Sequence, residues 1–204
     1  MNDLTYQEVN TNQLETYEWD RTWWDHADNN QTERVLIIGD SISWGYRPMV
    51  SELLKGEVYV DGLHTSKACD NKSFLPAVKY VTAQEPKLPK KIFFNNGLHG
   101  FHLSTEEYKR YYMAFVKELM RLYPDSELLL MLTTPTKKDS QPKVLERNAA
   151  ALEIAEELGL PMIDLYSEIA EELTLIGKDG VHLEADGYQK LAKLICKYIK
   201  NSNG

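Results

Sequence analysis

The chain has 204 residues, 43% of them hydrophobic, with a formal net charge of -8 at pH 7 and a sequence pI of about 5.2. This length and composition suit one α/β domain with a buried core, and the acidic balance, without a run of more than two Lys or Arg residues, argues against nucleic acid as a partner. The first residues lack a basic region followed by an apolar run and no stretch is apolar enough to span a membrane, so we expect a cytoplasmic protein that does not bind membranes.

The first 33 residues are polar and acidic and carry three tryptophans, Trp19, Trp23 and Trp24. Because no hydrophobic period is evident there, residues 1–33 are interpreted as an N-terminal arm whose tryptophans pack on the domain that follows. In the alternative interpretation, Trp23, Trp24 or His26 forms a wall of the substrate site. The predicted organisation is this arm and one domain over residues 34–204.

The first predicted strand covers residues 34–38, an aliphatic run that passes directly into Gly39, Asp40 and Ser41. A short apolar run that ends at a glycine is typical of a buried strand in a parallel sheet. Ligands bind beyond the carboxyl ends of such strands, so Ser41 stands where a reactive side chain is expected. Asp40 is interpreted as a turn-former.

Helical and strand patterns alternate along the rest of the chain. A helix is predicted over residues 47–55, with Pro48 in its first turn and Gly56 at its end, and a polar loop over residues 61–72. The other predicted strands cover residues 57–60, 92–95, 127–132 and 161–164, and the other predicted helices cover residues 73–83, 104–123, 143–158, 166–173 and 187–199. Five strands that alternate with helices indicate an α/β fold, a three-layer α/β/α sandwich around a parallel sheet.

The two cysteines, Cys69 and Cys196, lie far apart in the chain and match neither a metal-ligand spacing nor a disulfide framework. We therefore expect reduced thiols, with Cys196 in the core on the apolar face of the last helix. No metal or other cofactor is predicted.

A serine nucleophile needs a base within hydrogen-bond reach and a group that orients the base. His182 is the candidate base, and Asp179, three residues earlier, is the candidate acid. Gly180 between them lets the loop turn tightly. In the alternative, Asp179 and His182 belong to a helix-entry loop whose polar side chains bind backbone amides.

Polar side chains also follow the middle predicted strand, at Asn95, Asn96 and His99. If this strand neighbours the first one, these side chains lie beside Ser41, where Asn or His can donate a hydrogen bond to a developing oxyanion. The alternative is a turn that the asparagine side chains stabilise.

Two segments resemble the conserved blocks of a known family. Residues 39–43, Gly-Asp-Ser-Ile-Ser, resemble the first block of the GDSL or SGNH hydrolases, and residues 179–182, Asp-Gly-Val-His, are similar to their last block. The resemblance covers roughly residues 34 to 200. It implies a flavodoxin-like SGNH hydrolase fold and a catalytic triad of Ser41, Asp179 and His182, with no cofactor.

The family's oxyanion hole uses the serine amide, a glycine amide of the second block and an asparagine of the third. The third block is usually G-x-N-D, and here residues 97–100 read Gly-Leu-His-Gly, so His99 takes the place of the asparagine. Either His99 donates in its stead, or Asn95 or Asn96 does so from the strand end. In the second block, the amide of Lys67 or of a neighbour is expected to replace the glycine amide.

Aromatic residues follow the two strand ends, among them Trp44 and Phe101, which either bind the substrate or serve in packing. The resemblance implies a serine esterase that hydrolyses small acyl esters through an acyl-enzyme, with O-acetyl groups on carbohydrate as the first expectation. A short-chain carboxylesterase, lysophospholipase or thioesterase is the alternative. A rival of another class is an inactive carbohydrate-binding protein on a hydrolase fold.

Overall fold

The computed structural model describes Tyr6 and residues 13–201. These residues form a sheet of six strands with the order β1-β3-β2-β4-β5-β6, in which every neighbouring pair is parallel except β1 and β3. The strands are β1 (Asp20–Trp23), β2 (Arg34–Gly39), β3 (Tyr59–Thr65), β4 (Lys91–Phe94), β5 (Glu127–Met131) and β6 (Met162–Ile163).

Helices cover both faces of the sheet. They are α1 (Ser41–Leu54), α2 (Phe74–Gln84), α3 (Thr105–Leu122), α4 (Gln141–Leu158), α5 (Leu165–Ala170) and α6 (Ala185–Lys200), with a short 3-10 turn at Leu173–Leu175. Strand β2 is buried along its whole length and alternates between two cores. Leu36 and Ile38 face the core under α2, α3 and α4, while Val35 and Ile37 face the core under α1, α5 and α6. The predicted three-layer α/β fold is confirmed.

The sheet has one strand more than the sequence predicts. Strand β1 lies inside the predicted arm and pairs antiparallel with β3, with Asp20 opposite Thr65 and Trp23 opposite Gly62. The hydrophobic pattern does not predict β1, because its four residues, two of them charged, show no alternation of apolar and polar side chains. The arm's residues 1–5 and 7–12 lie outside the described part of the chain.

Helix α1 begins at Ser41, six residues before the predicted start at Arg47. Asp40 is its N-cap, and its Oδ1 accepts a hydrogen bond from the Ile42 amide at 2.9 Å. Pro48 therefore lies inside the helix, and the prediction that it occupies the first turn is wrong. The cap explains the early start, because it satisfies an amide that would otherwise lack a partner.

Strand β3 extends to Thr65, through residues that the sequence assigns to a loop. Asp61 binds the Arg34 guanidinium through both oxygens at 2.6 Å, and neither side chain is exposed. The buried His64 faces the hydroxyl of Ser43, with 2.6 Å between Nδ1 and Oγ. The strand thus continues through buried polar residues whose side chains are paired with other side chains. The hydrophobic pattern cannot predict this extension.

Glu85, which follows α2, has both carboxylate oxygens buried without a hydrogen-bond partner among the described residues. Burial raises its pKa to about 8, with the charge of Asp61 adding to the rise and that of Arg34 opposing it. Because the pKa is higher in the folded than in the unfolded chain, the stability that this group contributes is complete below about pH 4.5 and is lost as the pH rises through about 8.

We expect Glu85→Gln to stabilise the protein increasingly as the pH rises, because an amide avoids burying a charge. The gain in free energy of unfolding should grow by up to about 1.4 kcal/mol per pH unit and reach roughly 1–3 kcal/mol at pH 8. Urea unfolding at pH 5, 6.5 and 8 measures it, with the exposed Glu157→Gln as control. A gain that is the same at all three pH values would contradict the burial argument.

Candidate active site

Ser41 lies at the point where β2 passes into α1, as the first residue of the helix. Its amide has no acceptor among the described residues, since Asp40 Oδ1 takes the Ile42 amide instead. The N-terminus of a helix carries partial positive charge, so this amide is available to bind an anion. Asp40 is buried, and burial raises the pKa of its carboxyl above the usual value. It acts as a helix cap.

The loop before α6 brings His182 to Ser41 across 141 residues of sequence. His182 Nε2 is 2.8 Å from Ser41 Oγ, and His182 Nδ1 is 2.6 Å from Asp179 Oδ2. An ionised carboxylate only accepts hydrogen bonds, so Nδ1 carries the proton and Nε2 is left to accept one from the serine. The three residues predicted as a triad therefore form one hydrogen-bonded chain.

Asp179 holds both the imidazole and its own loop. Its Oδ1 accepts the amides of Val181 and His182, each at 2.9 Å. The Val181 amide and then the His182 side chain lower the pKa of Asp179 to about 2, so the carboxylate is ionised at any pH near neutrality. The turn depends on Gly180, which has φ +77°, and an added Cβ would lie 3.3 Å from the Lys137 carbonyl oxygen.

His99 stands on the loop after β4, and β4 pairs directly with β2, so both strand ends open at the same place. Its Nδ1 is 2.9 Å from Glu15 Oε2, and its ring packs against Trp19 in a T-shaped arrangement. Burial alone would lower the pKa of His99, but the hydrogen bond to Glu15 and the charges of Asp40, Glu15 and Glu18 raise it above the usual value.

Arg147 of α4 fixes the backbone around His99. Its Nη1 donates to the carbonyls of Gly97 at 2.9 Å and His99 at 2.6 Å, and its Nη2 donates to the carbonyl of Gly100 at 2.6 Å. The guanidinium also lies over the Phe101 ring at 4.5 Å. One buried cation thus holds three backbone carbonyls of the loop, a role that no sequence pattern indicates.

The other predicted oxyanion donors are engaged elsewhere. Both Nδ2 hydrogens of Asn95 go to the Met131 carbonyl at 2.8 Å and to Thr133 Oγ1 at 3.0 Å. Asn96 is almost fully buried and binds the Lys67 carbonyl and the Cys69 amide, which places it in loop support.

The Lys67 amide donates to Thr65 Oγ1 at 3.0 Å, so this predicted donor is not brought to Ser41. Neither Lys67 nor Asn96 lines the cavity that the described residues form around the serine. Of the predicted donors, the Ser41 amide and His99 remain at the site.

A cavity of about 720 Å³ opens in front of Ser41. Trp44 and Phe101, which follow the ends of β2 and β4, are among the residues that line it. The Arg21 guanidinium lies over the Trp19 and Trp44 rings, at 5.9 and 5.2 Å from their centroids. The lining consists of Trp19, Arg21, Ser41, Trp44, Gly45, Leu98, His99, Phe101, Thr136, Lys138, Ser140, Asp179, Val181, His182 and Tyr188.

The arm residues suggested as possible walls of the site lie elsewhere. The Trp23 indole binds Asp25, the Trp24 indole donates to the Val81 carbonyl, and His26 stacks on Tyr59. The arm instead contributes Trp19 and Arg21 to the cavity and Glu15 to His99. Trp19 is part of the tryptophan cluster that the sequence displays, whereas no motif marks Glu15 or Arg21.

In Tyr6 and residues 13–201, no group of three or more His, Cys, Asp or Glu side chains could hold a metal ion. Among the helices of that part, none is long and apolar enough to cross a bilayer. Cys69 and Cys196 are free and buried.

No family model matches the chain, and no curated protein matches it either. Solved structures do. The acetyl xylan esterase AlAXEase is 17% identical with a TM-score of 0.66, and the match covers 81% of this chain and 99% of that one. The lipase/acylhydrolase from Enterococcus faecalis is 20% identical with a TM-score of 0.67, over 83% and 96% of the two chains.

A GDSL-like lipase from Bacteroides thetaiotaomicron is also similar, at 18% identity and a TM-score of 0.60, over 82% of this chain and 88% of that one. With these neighbours and the sheet described above, the chain has the SGNH/GDSL hydrolase fold.

Proposed function

We propose that this protein is a serine esterase that removes small acyl groups, acetyl above all, from hydroxyls of carbohydrates. The observation that carries the proposal is the hydrogen-bonded chain from Asp179 through His182 to Ser41, with distances of 2.6 and 2.8 Å, at the wall of a large cavity. This arrangement meets the geometric requirement for an activated serine nucleophile.

In the proposed mechanism, Ser41 Oγ attacks the ester carbonyl while its proton passes to His182 Nε2. The negative charge that develops on the carbonyl oxygen is stabilised by the Ser41 amide and by His99. His182 then gives its proton to the departing alcohol. In the second half-reaction His182 takes a proton from a water molecule that attacks the acyl carbonyl, and it returns that proton to Ser41 Oγ as the bond to the serine breaks and the carboxylic acid leaves.

The side chains around the serine support a sugar as the leaving group. Trp19, Trp44 and Phe101 offer flat aromatic surfaces in the cavity, on which the apolar faces of pyranose rings can stack. Polar side chains stand among them, Thr136 and Ser140, which can bind hydroxyls. One of the structural neighbours is named an acetyl xylan esterase.

The alternative of a short-chain carboxylesterase, lysophospholipase or thioesterase draws support from neighbours named lipases or acylhydrolases. An inactive carbohydrate-binding protein is the less favoured alternative, because a protein without catalysis gains nothing from the contact of His182 with Ser41 and Asp179.

Acetate release from acetylated xylo-oligosaccharides tests the proposal, beside p-nitrophenyl acetate, butyrate and octanoate, with Ser41→Ala protein as the blank. We expect kcat/KM to be highest for the acetylated sugars and to fall as the acyl chain grows. A preference for octanoate would favour the acylhydrolase alternative. Equal rates for wild type and blank on every ester would reject the esterase.

A further inference from the structure

We propose that Glu15 makes His99 a positively charged hydrogen-bond donor to the oxyanion, so that the enzyme acts only while His99 is protonated and His182 is neutral. The inference rests on the proposed esterase function. It assigns Glu15, a residue of the N-terminal arm, as a positioning residue that acts through His99.

The contacts of Glu15 decide which nitrogen of His99 carries a proton. Glu15 Oε2 is 2.9 Å from His99 Nδ1, and Glu15 Oε1 accepts the Gly100 amide at 2.7 Å. Burial would raise the pKa of Glu15, but His99 and the Gly100 amide lower it below the usual value, so Glu15 is an ionised acceptor. The proton of a neutral His99 is therefore held on Nδ1.

The second nitrogen then has two possible states. On neutral His99, Nε2 carries a lone pair, which repels an oxyanion, and only the imidazolium has an N–H on Nε2 as well. Nε2 has no hydrogen-bond partner among the described residues, although the ring lines the same cavity as Ser41. A donor at this nitrogen thus requires a charged ring. Hydrogen bonds from a cation are roughly twice as strong as those from a neutral group.

The groups around His99 favour the charged ring. Glu15 and Glu18 of the arm and Asp40 before α1 contribute negative charge and raise the pKa of His99 against the effect of burial. Among the cations, Arg21 and Lys138 line the same cavity as His99. Arg147 donates through its guanidinium to the backbone carbonyls of the loop, including that of His99. The guanidinium of Arg147 therefore does not compete with the His99 imidazole for the Glu15 carboxylate.

Because His182 must be neutral and His99 charged, we expect a bell-shaped dependence of kcat/KM on pH. The alkaline limb reports the loss of the second proton of His99. In Glu15→Gln, the alkaline limb should move toward lower pH by about one unit. At alkaline pH about tenfold fewer molecules then carry a protonated His99. The value of kcat should fall there, with little change in KM.

His99→Asn is the second variant, because an amide donates at every pH. Its alkaline limb should disappear, whereas His99→Ala should lower kcat by about 10²–10³ at the pH optimum and should show no alkaline limb either. The imidazole NMR signals of His99 give a readout that does not depend on activity, and Glu15→Gln should move their titration midpoint to lower pH by the same amount as the alkaline limb.

The outcomes separate the two proposals. If the profile and the His99 titration of Glu15→Gln superimpose on those of the wild type while both proteins hydrolyse esters, the inference is wrong and the esterase stands. If the wild type is no faster than Ser41→Ala, the esterase itself is wrong. An alkaline limb that persists in His99→Asn would assign that limb to another group and overturn the inference.

Discussion

Replacement of Ser41 by alanine is expected to lower kcat by about 10⁴–10⁶. The activity that remains is that due to the oxyanion donors and substrate binding alone. The loss is large because the variant lacks the proposed nucleophile, Ser41 Oγ, which is hydrogen-bonded to His182 Nε2. The fold should be unaffected, since the cap of α1 comes from Asp40 and not from Ser41. Ester hydrolysis and thermal unfolding measure the two effects.

Ser43, two residues further along α1, is the matched control. Its hydroxyl is buried, donates to the Asp40 carbonyl at 2.7 Å and faces His64 Nδ1 at 2.6 Å, so it is bound within the protein. Ser43→Ala should therefore lower stability by about 1–3 kcal/mol through the unpaired His64 and keep the nucleophile. The assignment of Ser41 would fail if a fluorophosphonate probe labelled the peptide of another serine.

Replacement of Asp179 by asparagine is expected to lower kcat by roughly 10³–10⁴, because it reverses the tautomer of His182. The asparagine Oδ1 can keep both backbone bonds to Val181 and His182, so the turn is retained. Its amino group, however, must donate to His182 Nδ1. The proton then sits on Nε2 and points at Ser41, which leaves no acceptor for the serine proton.

Asp179→Ala distinguishes this effect from damage to the loop. Alanine removes the cap of the turn but leaves His182 free to choose its tautomer, so this variant should be less stable than Asp179→Asn and yet more active. Asp179 is exposed, and water can take part of its place in the alanine variant. If Asp179→Asn were as active as the wild type, the carboxylate would have no role in orienting His182.

The parts of the site that could be predicted are those where side-chain chemistry and strand position coincide. An aliphatic run followed by Ser41 is typical of a buried strand in an α/β sheet, with the serine at its carboxyl end. Asp179 and His182 are three residues apart, so a single turn can bring their side chains together. Both features are local in sequence, and the fold then brings them together at 2.8 Å. A capping box at Ser104 and Glu107 begins α3, and its Ser-x-x-Glu spacing is likewise local in sequence.

What could not be predicted depends on contacts between distant polar residues. Glu15 reaches His99 across 84 positions, and Asp61 reaches Arg34 through a strand that the pattern assigns to a loop. The Lys67 amide, a predicted oxyanion donor, instead donates to the hydroxyl of Thr65, a local contact that no pattern in the sequence indicates. The predicted start of α1 is wrong because prolines are common in the first turn of helices, which places Pro48 there. In the structure the helix starts earlier, after its N-cap Asp40.

The antiparallel pairing of β1 with β3 also bears on how the protein behaves at high concentration. Without β1, the seven residues of β3 would form a free sheet edge, whose open amides and carbonyls invite strands of other molecules. On the opposite side the sheet ends in β6, which is only two residues long and offers little to pair with. A variant shortened past Trp23 should therefore self-associate, so shortened forms must be checked for aggregation before any loss of their activity is assigned to Glu15, Trp19 or Arg21.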